Sequence, residues 1–350
     1  MGRSLGWVAS VALAIAAVMI LSTGLTSAVT THRANAVGTG TYIKDSHSSV
    51  PAAPTASKKS KTHFTVGEGP NRAAYDPVNH DLYVPETGAQ QVQVFNAKNK
   101  LVGTVPLPSE SFPGQAAFDS QNDLIYVTGE SSNDVYAISG TTLVATISSP
   151  LLDGPYGITF DPGDSVMGVV DQDGDNVSWI LGTEVIANTP VGTEPSGIAY
   201  DPFYASILVT NQLSNNVTCI NALYLDAYAS VTVGIEPSGV AYDPYDDLDY
   251  VANFGSANVS AVYGDCYTVA GTISGLDGPD GVGFDQATLQ MFITNTGNGK
   301  VSVVDTYSVV QTDTTSSTAD PVDATYDAYN DDVYVGAFGN TLGTTMYFFT

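Results

Sequence analysis

Positive charge is what this chain lacks most. Its 350 residues include ten Lys or Arg against 36 Asp or Glu, a formal net charge of −26. Six of the ten (Arg3, Arg33, Lys44, Lys58, Lys59, Lys61) precede residue 62; from Phe64 onward Arg72, Lys98, Lys100 and Lys300 face 35 acids. A domain so poor in cations has no footprint for phosphates, which excludes nucleic acid and anionic membrane surfaces as partners. Abundant Asp with scarce Lys suits two exteriors. Salt screens the repulsion, and acid neutralises carboxylates with pKa values near ~4.

Histidine is scarce too, with His63 and His80 alone beyond residue 62. No His cluster, Cys-x-x-Cys or Ser-His-Asp set can be assembled, and no Gly-rich phosphate loop precedes a helix. Catalysis is therefore not expected. The two cysteines, Cys219 and Cys266, are too few for a disulfide scaffold. Their pairing stays open, with unpaired thiols the favoured reading.

Long uncharged runs are absent except at the start. Leu5 to Leu25 carries no charge, follows Arg3 and ends in the small residues Thr26-Ser27-Ala28. Residues 1–28 read as a signal peptide or membrane anchor, so any membrane contact is through this segment if it stays uncleaved. Residues 29–62, small, polar and Pro-containing, read as a flexible linker. The rest is expected at the cell surface or outside the cell.

What fills residues 63–350 is a repeat. An aromatic followed by Asp recurs as Tyr75-Asp76, Phe118-Asp119, Phe160-Asp161, Tyr200-Asp201, Tyr242-Asp243, Phe284-Asp285 and Tyr326-Asp327, at intervals of 40 to 43 residues. Each copy continues with an apolar run, turn residues and alternating apolar residues, as in LVTNQLSNNVTCI from Leu208, a hairpin signal. Each unit has room for four short strands, and seven such units predict an all-β, seven-bladed β-propeller. The seventh copy has only three strands, while a spare strand, His63–Val66, precedes the first. Pairing it with Met346–Thr350 would close the ring and remove the open edge.

These landmarks resemble the YVTN-repeat family of β-propellers of archaeal and bacterial surface or secreted proteins. The namesake tetrapeptide stands as Leu208-Val-Thr-Asn211, Tyr250-Val-Ala-Asn253 and Phe292-Ile-Thr-Asn295, and the P-x-G-x-A-Y-D-P signature spans Pro195–Pro202 and Pro237–Pro244. The resemblance implies the fold and residence outside the cytoplasm, without a single activity.

Five groups of residues are candidates for function. The Asp after each aromatic is best read as turn chemistry, its carboxylate holding backbone N–H groups while the usual following Pro presets φ. Asp171, Asp173 and Asp175 are spaced like a calcium loop, but Asn176 and Gly182 occupy the places where an EF-hand needs Gly and Glu. A solvated turn is the main reading and a weak cation site the other. An acid precedes each repeat's Pro: Glu68, Glu110, Asp153, Glu194, Glu236, Asp277 and Asp320. In a closed ring these form an acidic collar at one channel mouth, where neighbours repel by roughly 0.5 kcal/mol per pair and calcium would give relief. Two residues after the Pro, four repeats use Gly, whereas Arg72, Gln115 and Asp323 stand in blades one, two and seven. They are expected to converge as a closure lock or a small polar ligand site. Asn176, Asn216 and Asn258 begin glycosylation sequons.

Together these features predict a non-catalytic module of the cell envelope. Its partners would be other envelope proteins or copies of itself, with calcium as a modulator. A metal-dependent lyase or hydrolase at the channel mouth and a small-ligand receptor are the alternatives.

Overall fold

The copy around Asp201 shows how each repeat folds. Its strands Pro195–Asp201, Ser206–Asn211, Asn216–Asn221 and Asp226–Thr232 pair in that order, antiparallel throughout. Every residue of the second strand is buried, whereas the fourth is mostly exposed. Period-two alternation explains the continuous apolar run: Ile207 and Val209 pack against Val166, Val170 and Trp179 of the preceding blade. Leu208, on the other face, packs against Val240, Val251 and Val262 of the next. The hydrophobic core is thus divided among the interfaces between blades.

The computed structural model describes residues 61–315, 320–338 and 344–350, in seven four-stranded antiparallel sheets arranged in a ring. No helix occurs among the described residues. The signal peptide or anchor and nearly all of the linker expected before residue 63 lie outside them. Closure follows the expected scheme with strand ends shifted by a residue or two. Lys61–Thr65 forms the outer strand of the last sheet, with His63 opposite Tyr347 and Phe64 opposite Met346. Phe64 also packs on Phe95 of the first blade, ring centroids 4.9 Å apart, so the seam is apolar as well as hydrogen-bonded.

The repeated Asp takes the turn role its sequence suggests. Asp201 accepts the N–H groups of Phe203 at 2.7 Å and Tyr204 at 3.1 Å. Asp76, Asp119, Asp161, Asp243, Asp285 and Asp327 each accept the N–H two residues on, at 2.7 to 2.9 Å. The cysteines depart from expectation. Cys219, on the third strand of blade four, is bridged to Cys266 in the outer turn of blade five, with Cα atoms 6.0 Å apart.

Candidate functional site

The end of the channel where the inner strands begin is organised by the tetrapeptide repeat. Thr210 accepts the N–H of Gly197 at 2.8 Å and donates to the carbonyl of Ser238 in the next blade. Asn211, fully buried, accepts the N–H of Gly192 at 3.0 Å and donates to Asn216 at 2.8 Å and Thr218 at 3.0 Å. Asn253 repeats this with Gly234, Asn258 and Ser260. In blades four and five the motif therefore fixes the loop leading into the inner strand. Two of the sequons serve as its partners, and the hydroxyls of Ser178, Thr218 and Ser260 are buried.

Asp171 stands where those repeats have Asn. It accepts the Ser178 hydroxyl at 2.6 Å and the Asp153 N–H at 3.3 Å. Burial pushes its carboxyl up to about 7, with these hydrogen bonds pulling the other way. Asp175 accepts the N–H of Glu194 at 2.8 Å, the task Asn215 performs for Glu236 at 2.9 Å. Asp173 is exposed. The three aspartates thus sit in three different settings. Among the described residues, no three His, Cys, Asp or Glu side chains gather as a metal site.

The collar acids all reach the surface: Glu68, Glu110, Asp153, Glu236 and Asp277 are exposed, Glu194 and Asp320 half-buried. Their backbone settings differ. Before six of the prolines the chain turns left-handed, at Gly69, Phe112, Gly154, Glu194, Glu236 and Gly278. Glycine takes that conformation freely, whereas Glu194 and Glu236 hold it with a side chain attached.

Arg72 crosses the channel. Its guanidinium lies 3.4 Å from Asp280 of blade six and 5.7 Å from the ring centre of Tyr156 of blade three. Burial disfavours its charge, but Tyr156, Asp280 and Asp323 outweigh that and hold it protonated. Burial raises the Asp323 carboxyl to about 6 despite Arg72, and raises Asp280 against the pull of Arg72 and Ser238. Arg72 pulls the Tyr156 phenol down; burial and nearby carboxylates push it further up. Gln115 accepts the N–H of Ile158 at 3.3 Å, so its hydrogen bond runs to the neighbouring inner strand. Of the three residues expected to converge, Arg72 and Asp323 interact. Tyr156 and Asp280 were missed because they stand one residue after the Pro, where other repeats have Asn71, Gly114, Ser196, Ser238 and Val322. Comparing that column would have found them.

A cavity of about 340 Å³ opens at this mouth between blades four, five and six, lined by Gln212, Glu236, Ser238, Phe254, Asp280 and Thr296. Asp280 joins its wall to the buried arginine. At the opposite end a wider funnel of about 730 Å³ is ringed by the repeated aromatics, among them Phe118, Phe160, Tyr200, Tyr242 and Phe284.

The sequence matches no protein-family profile, and no curated protein matches it. Solved structures do. Selenomethionine-substituted virginiamycin B lyase from Staphylococcus aureus superposes with a TM-score of 0.73 at 14% identity, over 83% of this chain and 99% of that one. A streptogramin B lyase gives 0.72 at 12%, over 83% and 97%. A catalytically inactive histidine-to-alanine variant of the Staphylococcus aureus virginiamycin B lyase, solved with quinupristin, gives 0.73 at 13%, over 83% and 99%. The fold is shared. Identities this low carry the fold alone.

The expectation of a non-catalytic envelope module is corrected by this comparison: the solved chains that share the propeller are lyases. Of the two described histidines, His63 lies exposed on the closing outer strand and His80 stacks on Tyr329 in a turn at the opposite face. Neither is at the mouth.

Proposed function

We propose that this propeller is an enzyme of the lyase or hydrolase kind, with Asp280 as the acid–base group at the channel mouth. The observation that carries the reading is the Arg72–Asp280 pair, set where a buried cation meets a cavity of small-ligand size. A carboxylate held this way can take a proton from a carbon beside a carbonyl, or from water. In an elimination the C–H proton passes to Asp280, the electron pair of that bond forms a C=C bond to the next carbon, and the leaving group departs from that carbon with its electron pair. Asp280 then returns the proton to the leaving group. Arg72 stabilises the negative charge that builds on the substrate meanwhile. Asp323, whose carboxyl burial raises to about 6, is the second carboxyl beside Arg72.

Membership of the YVTN-repeat family is part of the proposal, supported by the tetrapeptides. So is residence outside the cytoplasm, supported by the uncharged N-terminal run and by a disulfide suited to an oxidising compartment. Calcium at the acidic collar is also proposed, on the recurrence of an acid before each repeat's Pro.

Quinupristin, bound in one structural neighbour, is the first substrate to try, followed by esters and amides of hydrophobic peptides. Mass spectrometry separates the reaction types: elimination conserves the substrate's total mass, whereas hydrolysis adds one water. Asp280→Asn is expected to lower turnover about 100-fold or more. Full activity in that variant would remove Asp280 from the mechanism, and no new product from the unaltered chain across the panel would overturn the enzymatic reading.

A further inference from the structure

The walls of the mouth cavity differ from their counterparts in the other blades. Phe254 occupies a hairpin position held by Thr87, Glu130, Gln172, Gln212 and Thr296 elsewhere, with Phe338 the other exception. The hairpin does not demand an aromatic there, yet Phe254 lines the cavity and remains 45% exposed. Leu213, in the blade-four hairpin, and Ile235, in the loop leading into blade five, are exposed apolar residues outside the lining, at 62% and 55% exposure. Ile235 stands where the preceding repeat has Thr193. Solvent-facing apolar groups around a concave site are a recognition feature.

Charge at the cavity has one sign. Glu236 and Asp280 line it, and no Lys or Arg does. Lys300 lies outside the lining on the third strand of blade six, and the buried Arg72 is paired with Asp280. Glu236 is folded over Gly255, where an added Cβ would come within 2.8 Å of its carboxylate oxygen. Glu194 and Asp277 flank it in the neighbouring collar positions. Carboxylates on low-dielectric walls concentrate cations and repel anions.

We infer that the mouth cavity selects ligands carrying a positive charge beside an apolar group, an amine-bearing hydrophobic peptide being the fitting chemistry. This rests on the site of the proposed function and names its substrate class. Phe254 takes the apolar part, and Glu236 takes the ammonium group.

The test is calorimetric titration of the full chain with three probes of one shape. These are phenylalanylphenylalanine amide (cationic), its N-acetyl form (neutral) and N-acetylphenylalanylphenylalanine (anionic). At low salt the amine is expected to bind at least tenfold tighter than the acid, with added salt narrowing the gap. Glu236→Gln should narrow it too while leaving the neutral probe's affinity unchanged. Phe254→Ala should weaken all three about tenfold, with Phe254→Leu restoring part of the loss if the fold is intact. Equal affinities, a reversed order, or no binding of the amine would overturn the inference. Charge-selective binding without turnover would sink only the enzymatic reading. Turnover with charge-blind binding would sink only this inference.

Discussion

Asp249 stands where the other six blades carry Leu82, Ile125, Met167, Ile207, Met291 and Val333. It is fully buried, and neither of its oxygens, nor Oδ2 of Asp201, meets an N–H or hydroxyl donor. The two carboxyls face each other across the interface of blades four and five, and such contact is favourable only with a proton between them. Burial raises both, Asp201 to about 6 and Asp249 well beyond the usual range. Asp247, Tyr242 and Tyr228 are the nearby titratable groups; none supplies a cation. The folded state thus keeps protons that the unfolded chain has released. The pair's contribution is fully present below the unfolded value of 3.8 and is lost as pH rises through the folded values. Asp249→Asn, which donates a hydrogen bond without titrating, is expected to raise stability at pH 7.5 by about 1–3 kcal/mol and to change little at pH 4. Urea unfolding at the two pH values checks it, and an equal effect at both would refute proton sharing. Asp249 was visible in the repeat alignment as an acid in an apolar column. Its partner was not: Asp201 is one of seven identical turn residues, and only the packing of adjacent blades selects it. Arg72 presents the same difficulty on a larger scale. Order around the ring suggested partners in blades seven and two, but a long side chain in a narrow channel reaches blade six.

Among elements, sequence was most informative where repetition averages out accident. Strand number, hairpin positions, the turn role of the Asp series and ring closure all follow from period and alternation. The bridge between Cys219 and Cys266 does not, because it joins unlike parts of two repeats: a buried third strand and an outer turn. Their separation of 47 residues is close to one repeat but places them at different positions within it. That corner is reinforced by Tyr228, whose hydroxyl donates to the carbonyl of Gly264 at 2.9 Å. Closing a loop of this length restricts the unfolded chain by roughly 2–4 kcal/mol. Replacing both cysteines with serine should lower the urea midpoint accordingly. Reductant should bring the unaltered protein to the same midpoint and leave the variant unmoved.

For the whole molecule, burial and charge scarcity act in one direction. Every described carboxyl with a resolved shift is shifted upward, from Asp76 and Glu86 to Asp171 and Asp243 near 7, with desolvation the leading cause. Arg72 is among the few cations available to pull any of them back, and it is already shared by Asp280 and Asp323. Stability should therefore rise as pH falls from 7.5 towards 4.5, because the folded state binds more protons than the unfolded chain throughout that window. Below about 4 both states are protonated and the gain levels off. A rise in Tm on the order of 10 °C is expected across the window. Exposed like charges work in the same direction, since acid also relieves the repulsion of a chain at −26. Salt separates the two contributions. It screens the exposed carboxylates but cannot solvate the buried ones. At pH 7.5, one molar sodium chloride should therefore recover only part of the rise that acid produces. Full recovery by salt alone would assign the effect to surface repulsion, whereas a shortfall would assign the remainder to the buried carboxyls.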